Sequence, residues 1–182
     1  MRVEHQFDPE YRFVSPALKK AIQKIGDCKE LSCLDMPVGN GRNVFYLANH
    51  FKNITAVDLN NKFINNIHTD SLKYNLKAGV IKTSILNLEK ELPIETASCD
   101  FIATIHYFDY SFLSLVIDQM KKGAYFFIET PNCNGGNFFK LPTEQEINNL
   151  FKNVAVVFID KHSCKSNNSP IKNISFKCLL NK

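Results

Sequence analysis

The chain has 182 residues, of which 45% are hydrophobic, and it carries a formal net charge of +4. This length and apolar content suit one domain with a full core, so we expect residues 1–182 to form a single domain, in which 1–30 supply an N-terminal arm and a helix. The basic residues are scattered, which favours a solvated surface over a nucleic-acid interface. No signal peptide or membrane-spanning run is found, so we expect a cytoplasmic protein without a membrane partner.

The sequence contains six cysteines, none in a C-x-x-C pair, and most lie in or beside apolar segments: Cys28, Cys33, Cys99, Cys133, Cys164 and Cys178. Such cysteines are typical of buried, reduced thiols in a cytosolic protein. We therefore expect free thiols at all six positions and no metal site.

The N-terminal segment combines an aromatic stretch with a clear helix start. Residues 1–14 include Tyr11 and Arg12, which are candidates to close over a ligand; simple packing is the alternative reading. Ser15 suits an N-cap, with Pro16 at the first helical position and an apolar stripe that ends at Gly26. These residues predict a helix that lies on a sheet.

Two glycines follow the first predicted strand, which covers 31–36. Gly39 and Gly41 permit a tight turn and let a ligand approach the backbone closely. Apolar residues then recur at helical spacing: Val44, Leu47, Ala48 and Phe51. The free N–H groups of a helix N-terminus favour an anionic group. The pattern predicts strand, turn and helix around an anionic ligand group.

A second strand, 54–58, ends on Asp58, which lies about 20 residues after Gly39, as in βαβ units that bind nucleotides. A carboxylate there can accept two ribose hydroxyls at once. Each hydrogen bond to a charged group contributes about 1.5–3 kcal/mol, so this pair could decide nucleoside recognition.

A crossover helix follows Asp58, and 79–86 alternates towards a third strand. The next strand, 99–105, ends on His106 at the carboxyl edge of the sheet, where open α/β sheets bind their ligands. His106 is a candidate general base because its ordinary pKa is near neutral; contact with a cofactor and simple packing are the alternatives. Three aromatic residues that follow would form apolar walls or core: Tyr107, Phe108 and Tyr110.

The C-terminal third predicts a helix that ends near Gly123, a buried strand over 124–129, and a loop over 130–137 that suits a substrate lid. Thr143 and Glu146 form a capping box at the start of another helix. Two further strands, 154–160 and 171–180, have no room for a helix between them and predict an antiparallel hairpin.

The segment Asp35-Met36-Pro37-Val38-Gly39-Asn40-Gly41 resembles the first motif of class I S-adenosylmethionine (SAM) dependent methyltransferases, acid-x-Gly-x-Gly-x-Gly. Pro37 replaces the first glycine and donates no N–H. A nicotinamide-binding fingerprint would instead have a third glycine at Val44. A turn that merely joins strand to helix is the other alternative.

This resemblance, which the terminal hairpin supports, implies an α/β fold: a Rossmann-like, doubly wound, seven-stranded sheet, mostly parallel with a C-terminal antiparallel hairpin. It implies SAM as cofactor. Asn87 stands where the family has an acid that holds the adenine amino group; its amide oxygen can still accept, or it is a polar turn residue. The implied cofactor-binding residues are Asp35, Gly39, Asn40, Gly41, Arg42, Asp58, Leu59, Asn87, Leu88, His106 and Tyr11.

The motif Arg42-Asn43 and the loop that begins at Glu129 resemble small-molecule methyltransferases of the tellurite-resistance and thiopurine type. We therefore expect a SAM-dependent methyltransferase for a small-molecule acceptor, as a monomer or homodimer, with His106 as the catalytic candidate. The alternatives are a SAM-binding partner or regulatory protein without activity, for which Pro37 and Asn87 argue, and an RNA or protein methyltransferase.

Overall fold

A computed structural model of the protein describes residues 14–73, 81–131, 141–164 and 173–182. The described residues form a seven-stranded sheet with the order β3-β2-β1-β4-β5-β7-β6. The strands are β1 (Ser32–Asp35), β2 (Asn53–Asp58), β3 (Ile81–Ile85), β4 (Phe101–Ile105), β5 (Tyr125–Glu129), β6 (Ala155–Cys164) and β7 (Asn173–Asn181). The helices are α1 (Pro16–Ile25), α2 (Val44–Ala48), α3 (Asn61–Lys73), α4 (Tyr110–Gln119) and α5 (Glu144–Leu150), with a 3-10 turn at Ile94–Ala97.

Strands β1 to β5 pair in parallel, whereas β7 pairs antiparallel with both β5 and β6. The doubly wound sheet with a C-terminal antiparallel hairpin is thus confirmed. The chain leaves β1 towards β2 on one side and reaches β4 on the other, so the strand order reverses between β1 and β4. Open α/β sheets bind their ligands at such a switch point, outside the carboxyl ends of the strands.

Helices cover both faces of the sheet because adjacent strand residues point to opposite sides. Cys33 of β1 packs into the core beneath α1, α2 and α3, while its neighbour Leu34 packs into the core beneath α4 and α5. Strand β5 is buried almost throughout, as its apolar sequence predicts. Two closed faces leave the strand ends as the place where polar side chains can meet a ligand.

The helix starts follow the capping signals. The Ser15 side chain accepts from the Leu18 N–H, and α1 ends before Gly26, whose φ is 91°. Thr143 and Glu146 form the complete capping box of α5. Helix α2 is shorter than predicted because it ends at Ala48, so Phe51 lies beyond it. With only five residues, α2 adds little dipole to the glycine turn.

Four cysteines are buried free thiols, as expected: Cys28, Cys33, Cys99 and Cys178. Cys164 is disulfide-bonded, so the expectation of a reduced thiol is wrong there. It ends the edge strand β6, whereas the other four lie in the two cores. Within the described residues, no helix is long and apolar enough to cross a membrane. Tyr11, Arg12, Cys133 and the predicted lid from Asn132 lie outside the described residues.

Candidate active site

The glycine turn after β1 is anchored to both neighbouring strands. The Met36 N–H donates to the Ala103 carbonyl of β4 at 3.0 Å, and the Val38 N–H donates to the Val57 carbonyl of β2 at 2.9 Å. The Met36–Pro37 peptide bond is cis. The two hydrogen bonds to β4 and β2 hold the turn directly over the switch point of the sheet.

The two glycines of the turn have different surroundings. At Gly39, with φ 56°, a Cβ would meet no atom within 4 Å, so the space beside its backbone is open. At Gly41, with φ 81°, a Cβ would lie 2.6 Å from Cγ1 of Ile67 on α3. Gly39 therefore leaves room for a ligand, whereas Gly41 allows the turn to pack against α3.

Asp58 ends β2 as predicted and is itself part of the turn. Its Oδ2 accepts from the Gly39 N–H at 2.8 Å, and its Oδ1 accepts from the Asn60 N–H at 2.8 Å. Because a carboxylate has about four acceptor sites, both oxygens can still accept further hydrogen bonds. Asp58 is 7% exposed and lines the cavity, and the two hydrogen bonds hold its carboxylate in place.

Asp35 lies below this turn and is 1% exposed. Within the described residues, its Oδ2 has no hydrogen-bond partner. Burial and, less strongly, the charge of Asp58 raise the pKa of Asp35 to about 8, although Arg42 opposes the shift. Asp35 and Gly41, both predicted cofactor-binding residues, do not line the cavity at the switch point, so their assignments stay predictions.

A cavity of about 410 Å³ opens at the switch point. It combines backbone from the turn with a carboxylate, a guanidinium and an imidazole, and its lining residues are Pro37, Val38, Gly39, Asn40, Arg42, Asn43, Asp58, Ile105 and His106. This volume is typical of a site for one small molecule. Among the predicted site residues, the structure brings Gly39, Asn40, Arg42, Asp58 and His106 together here.

His106 follows β4 with a positive φ of 58°, which is uncommon for a residue with a side chain and costs about 1–3 kcal/mol. Its N–H donates to the Glu129 carbonyl at 2.6 Å, and its Nδ1 lies 3.3 Å from Nη2 of Arg42. The strained backbone directs the imidazole to the cavity beside the guanidinium.

Glu129 lies beneath His106 and is 4% exposed. Its Oε1 is 3.5 Å from Nε2 of His106 and 3.6 Å from Nζ of Lys177, while its Oε2 accepts from the Ser15 hydroxyl. Burial alone would raise the pKa of Glu129, but the hydrogen bonds from His106 and Ser15 and the charge of Lys177 outweigh it and lower this pKa. A buried, ionised carboxylate therefore supports the imidazole.

Three more of the predicted cofactor-binding residues, Leu59, Asn87 and Leu88, lie outside the cavity lining. Leu59 is 62% exposed just after Asp58, and Leu88 packs at the border of the core beneath α4. The Asn87 Oδ1 accepts from the Glu89 N–H at 3.0 Å, which is the polar turn arrangement named above as the alternative. Tyr11 is outside the described residues, so all four assignments stay predictions.

Sequence reasoning missed the supporting residues around His106. The register pairs Ile105 with Glu129, which places His106 next to the end of β5. The available sequence signal for this support was Glu129, an acidic residue at the end of an apolar strand. The Ser15 contact joins residues 114 positions apart, and no local pattern reveals it.

One protein family and many solved structures resemble this chain. The model of the tellurite resistance protein TehB family matches residues 2–128. A SAM-dependent methyltransferase from Methanosarcina mazei has a similar structure, with 17% identity, a TM-score of 0.64, and coverage of 93% of this chain and 98% of that one. No curated protein matches the sequence significantly.

Two further solved structures share the fold. TehB from Haemophilus influenzae is 19% identical with a TM-score of 0.66, over 91% of this chain and 61% of that chain. A geranyl diphosphate C-methyltransferase from Streptomyces coelicolor A3(2), in complex with S-adenosyl-L-homocysteine, is 9% identical with a TM-score of 0.67, over 90% and 75%. The family match covers well over half of the sequence, and the chain therefore belongs to the tellurite resistance protein TehB family, with the Rossmann-like fold of class I SAM-dependent methyltransferases.

Proposed function

We propose that this protein is a SAM-dependent methyltransferase that acts on a small-molecule acceptor in the cavity at the switch point. The observation that carries the proposal is the meeting of the open Gly39 backbone, the fixed Asp58 carboxylate and His106 in one cavity of about 410 Å³. Family membership supports the reaction class, and the cavity supports the proposed position of the reaction.

The residues present fit the cofactor at three points. The open space at Gly39 admits a ligand against the backbone. Asp58 keeps acceptor capacity for ribose hydroxyls, because each oxygen holds one backbone N–H. The exposed Leu59 next to it offers an apolar surface that a purine would cover. Asn87 and Leu88 complete the proposed adenine contacts.

Bound SAM supplies an electrophilic methyl group, so the chain must align a nucleophile with it and exclude water. Ile105 and Val38 give the cavity apolar wall. Arg42 supplies positive charge for an anionic group. The N-terminus of the short α2 adds only a little more. His106 would accept a proton from an acceptor that must lose one.

A non-catalytic SAM-binding protein is the second candidate, and one observation favours it. Asn87, proposed to receive the adenine amino group, offers an uncharged amide oxygen where the family has an acid, and this oxygen also holds the Glu89 N–H. Weak adenine recognition would suit a regulatory partner. An RNA or protein acceptor remains a third reading; scattered charge argues against RNA.

A turnover assay separates these candidates. The protein is incubated with methyl-labelled SAM and pools of small thiols, amines, carboxylates and oxyanions, and release of S-adenosylhomocysteine is followed. We expect turnover with at least one pool. The His106→Gln variant should keep S-adenosylhomocysteine affinity within about threefold while kcat falls by about 10²–10⁴ if the acceptor must be deprotonated. Binding without turnover in every pool would favour the non-catalytic candidate.

A further inference from the structure

Two charged side chains flank the His106 ring. One of them can only accept hydrogen bonds, and the other can only donate them. The Glu129 carboxylate, 3.5 Å from Nε2, can only accept hydrogen bonds. The Arg42 guanidinium, 3.3 Å from Nδ1, can only donate them. A neutral imidazole has one N–H and one lone pair, so a single tautomer satisfies both neighbours. That tautomer carries its proton on Nε2.

Glu129 is held rigidly enough to impose this choice. Ser15 donates to its Oε2, and Lys177 lies 3.6 Å from its Oε1. The His106 N–H donates to the Glu129 carbonyl at 2.6 Å, which fixes the residue's backbone as well. These contacts come from the N-cap of α1, from the residue that follows β4, and from β7, so His106 cannot change tautomer without disturbing a buried carboxylate.

We propose that Glu129 is a positioning residue that fixes His106 in the Nε2–H tautomer and thereby presents Nδ1, as a lone pair, to the cavity. Within the proposed function, on which the catalytic meaning rests, Nδ1 is then the atom that takes the acceptor's proton. Arg42 covers that lone pair in the present arrangement, so an acceptor must displace the guanidinium before Nδ1 can act.

The tautomer can be read directly by ¹⁵N NMR of the histidine rings in the wild-type protein, without any turnover. His106 signals are assigned by their absence in His106→Gln. We expect Nε2 to carry the proton and Nδ1 to be unprotonated in the neutral ring. A protonated Nδ1 in the neutral ring would overturn the proposal. Because no methyl transfer is measured, this result is independent of the proposed function.

Two variants assign the preference to Glu129 rather than to Arg42. In Arg42→Ala the Nε2–H form should still dominate by about tenfold or more, as expected for a hydrogen bond to a charged group. Adding Glu129→Gln to that variant should reduce the preference by about tenfold. Loss of the preference in Arg42→Ala alone would contradict the proposal, even if the double variant fails to fold.

The same spectra contain a matched control. Nε2 of His162 lies 3.5 Å from Oδ1 of Asp160, the same separation as in the His106 pair, but the two side chains are 63% and 59% exposed. Solvent weakens such an exposed pair. Asp160→Asn should therefore change the tautomer ratio of His162 by less than about twofold. An equal change of the tautomer ratio at both histidines would show that the burial of Glu129 does not strengthen its control of the His106 tautomer.

Discussion

Replacing each of three positive-φ glycines with alanine tests which glycine leaves room for a ligand and which allows close packing against a helix. Alanine at Gly26, Gly39 or Gly41 would have to adopt a positive φ, of 91°, 56° and 81°, and at Gly26 this φ comes with a ψ of −130°, outside the left-handed helical region. The left-handed conformation at Gly39 and Gly41 costs about 1–2 kcal/mol, partly offset by about 0.4–1 kcal/mol from a stiffer unfolded chain. Gly39→Ala and Gly41→Ala should therefore each lose about 1 kcal/mol of unfolding free energy from strain alone.

Gly41→Ala should lose more, because its Cβ would lie 2.6 Å from Cγ1 of Ile67. Overpacking costs about 1–3 kcal/mol, so the total loss should be about 2–4 kcal/mol. Gly26→Ala and Gly39→Ala meet no atom within 4 Å and should show strain only. Urea unfolding followed by circular dichroism measures all three.

Cofactor affinity should separate the two variants that show strain only. The Cβ of Gly39→Ala would fill space beside the cavity, so S-adenosylhomocysteine should bind about tenfold or more weakly, while Gly26→Ala at the end of α1 should match wild type. Equal affinity in Gly39→Ala and wild type would refute the claim that a ligand approaches this backbone. Equal stability of Gly41→Ala and Gly39→Ala would refute the packing role of Gly41.

Two predictions concern stability alone. Because the folded-state pKa of Asp35 is raised to about 8 from 3.8, the native state binds more protons than the unfolded state, and stability should fall as pH rises between those values. From pH 6 to pH 8 the unfolding free energy of the wild type should fall by about 2 kcal/mol more than that of Asp35→Asn. Urea unfolding at both pH values measures the difference. Equal losses in the two proteins would contradict a buried protonated carboxyl. Thr143→Ala removes the capping box of α5 and should cost about 1 kcal/mol in the same assay, whereas Thr143→Ser should cost little; equal effects would exclude the hydroxyl as the cap.

Local sequence signals predicted most of the fold and the meeting of the glycine turn with Asp58 at the cavity. The Ser15 cap, the glycine turn and the acid at Asp58 depend on neighbours within one or two elements, and all lie where expected. The five-residue length of α2 was missed because apolar spacing continues to Phe51 after the helix has ended.

The support of His106 could not be predicted in the same way. Its contact with Glu129 depends on the β4–β5 register, and the contact of Glu129 with Ser15 depends on how α1 lies across the sheet. Burial of Asp35 likewise follows from packing above and below the strand rather than from its place in the motif. These tertiary contacts decide the protonation states of Asp35 and Glu129, which the residue pattern alone leaves open.

The most direct test of the account is calorimetric titration of S-adenosylhomocysteine into wild type, Asp58→Ala and Asp100→Ala. Asp100 is the matched control, because its carboxylate also accepts a backbone N–H, from Ser32 at 2.8 Å, but it precedes β4 at the other end of the sheet. Wild type should bind, Asp58→Ala should lose about 2–4 kcal/mol, roughly 30- to 1000-fold in affinity, and Asp100→Ala should stay within about twofold. No binding to wild type, or equal affinities in folded Asp58→Ala and wild type, would contradict a SAM site built on Asp58.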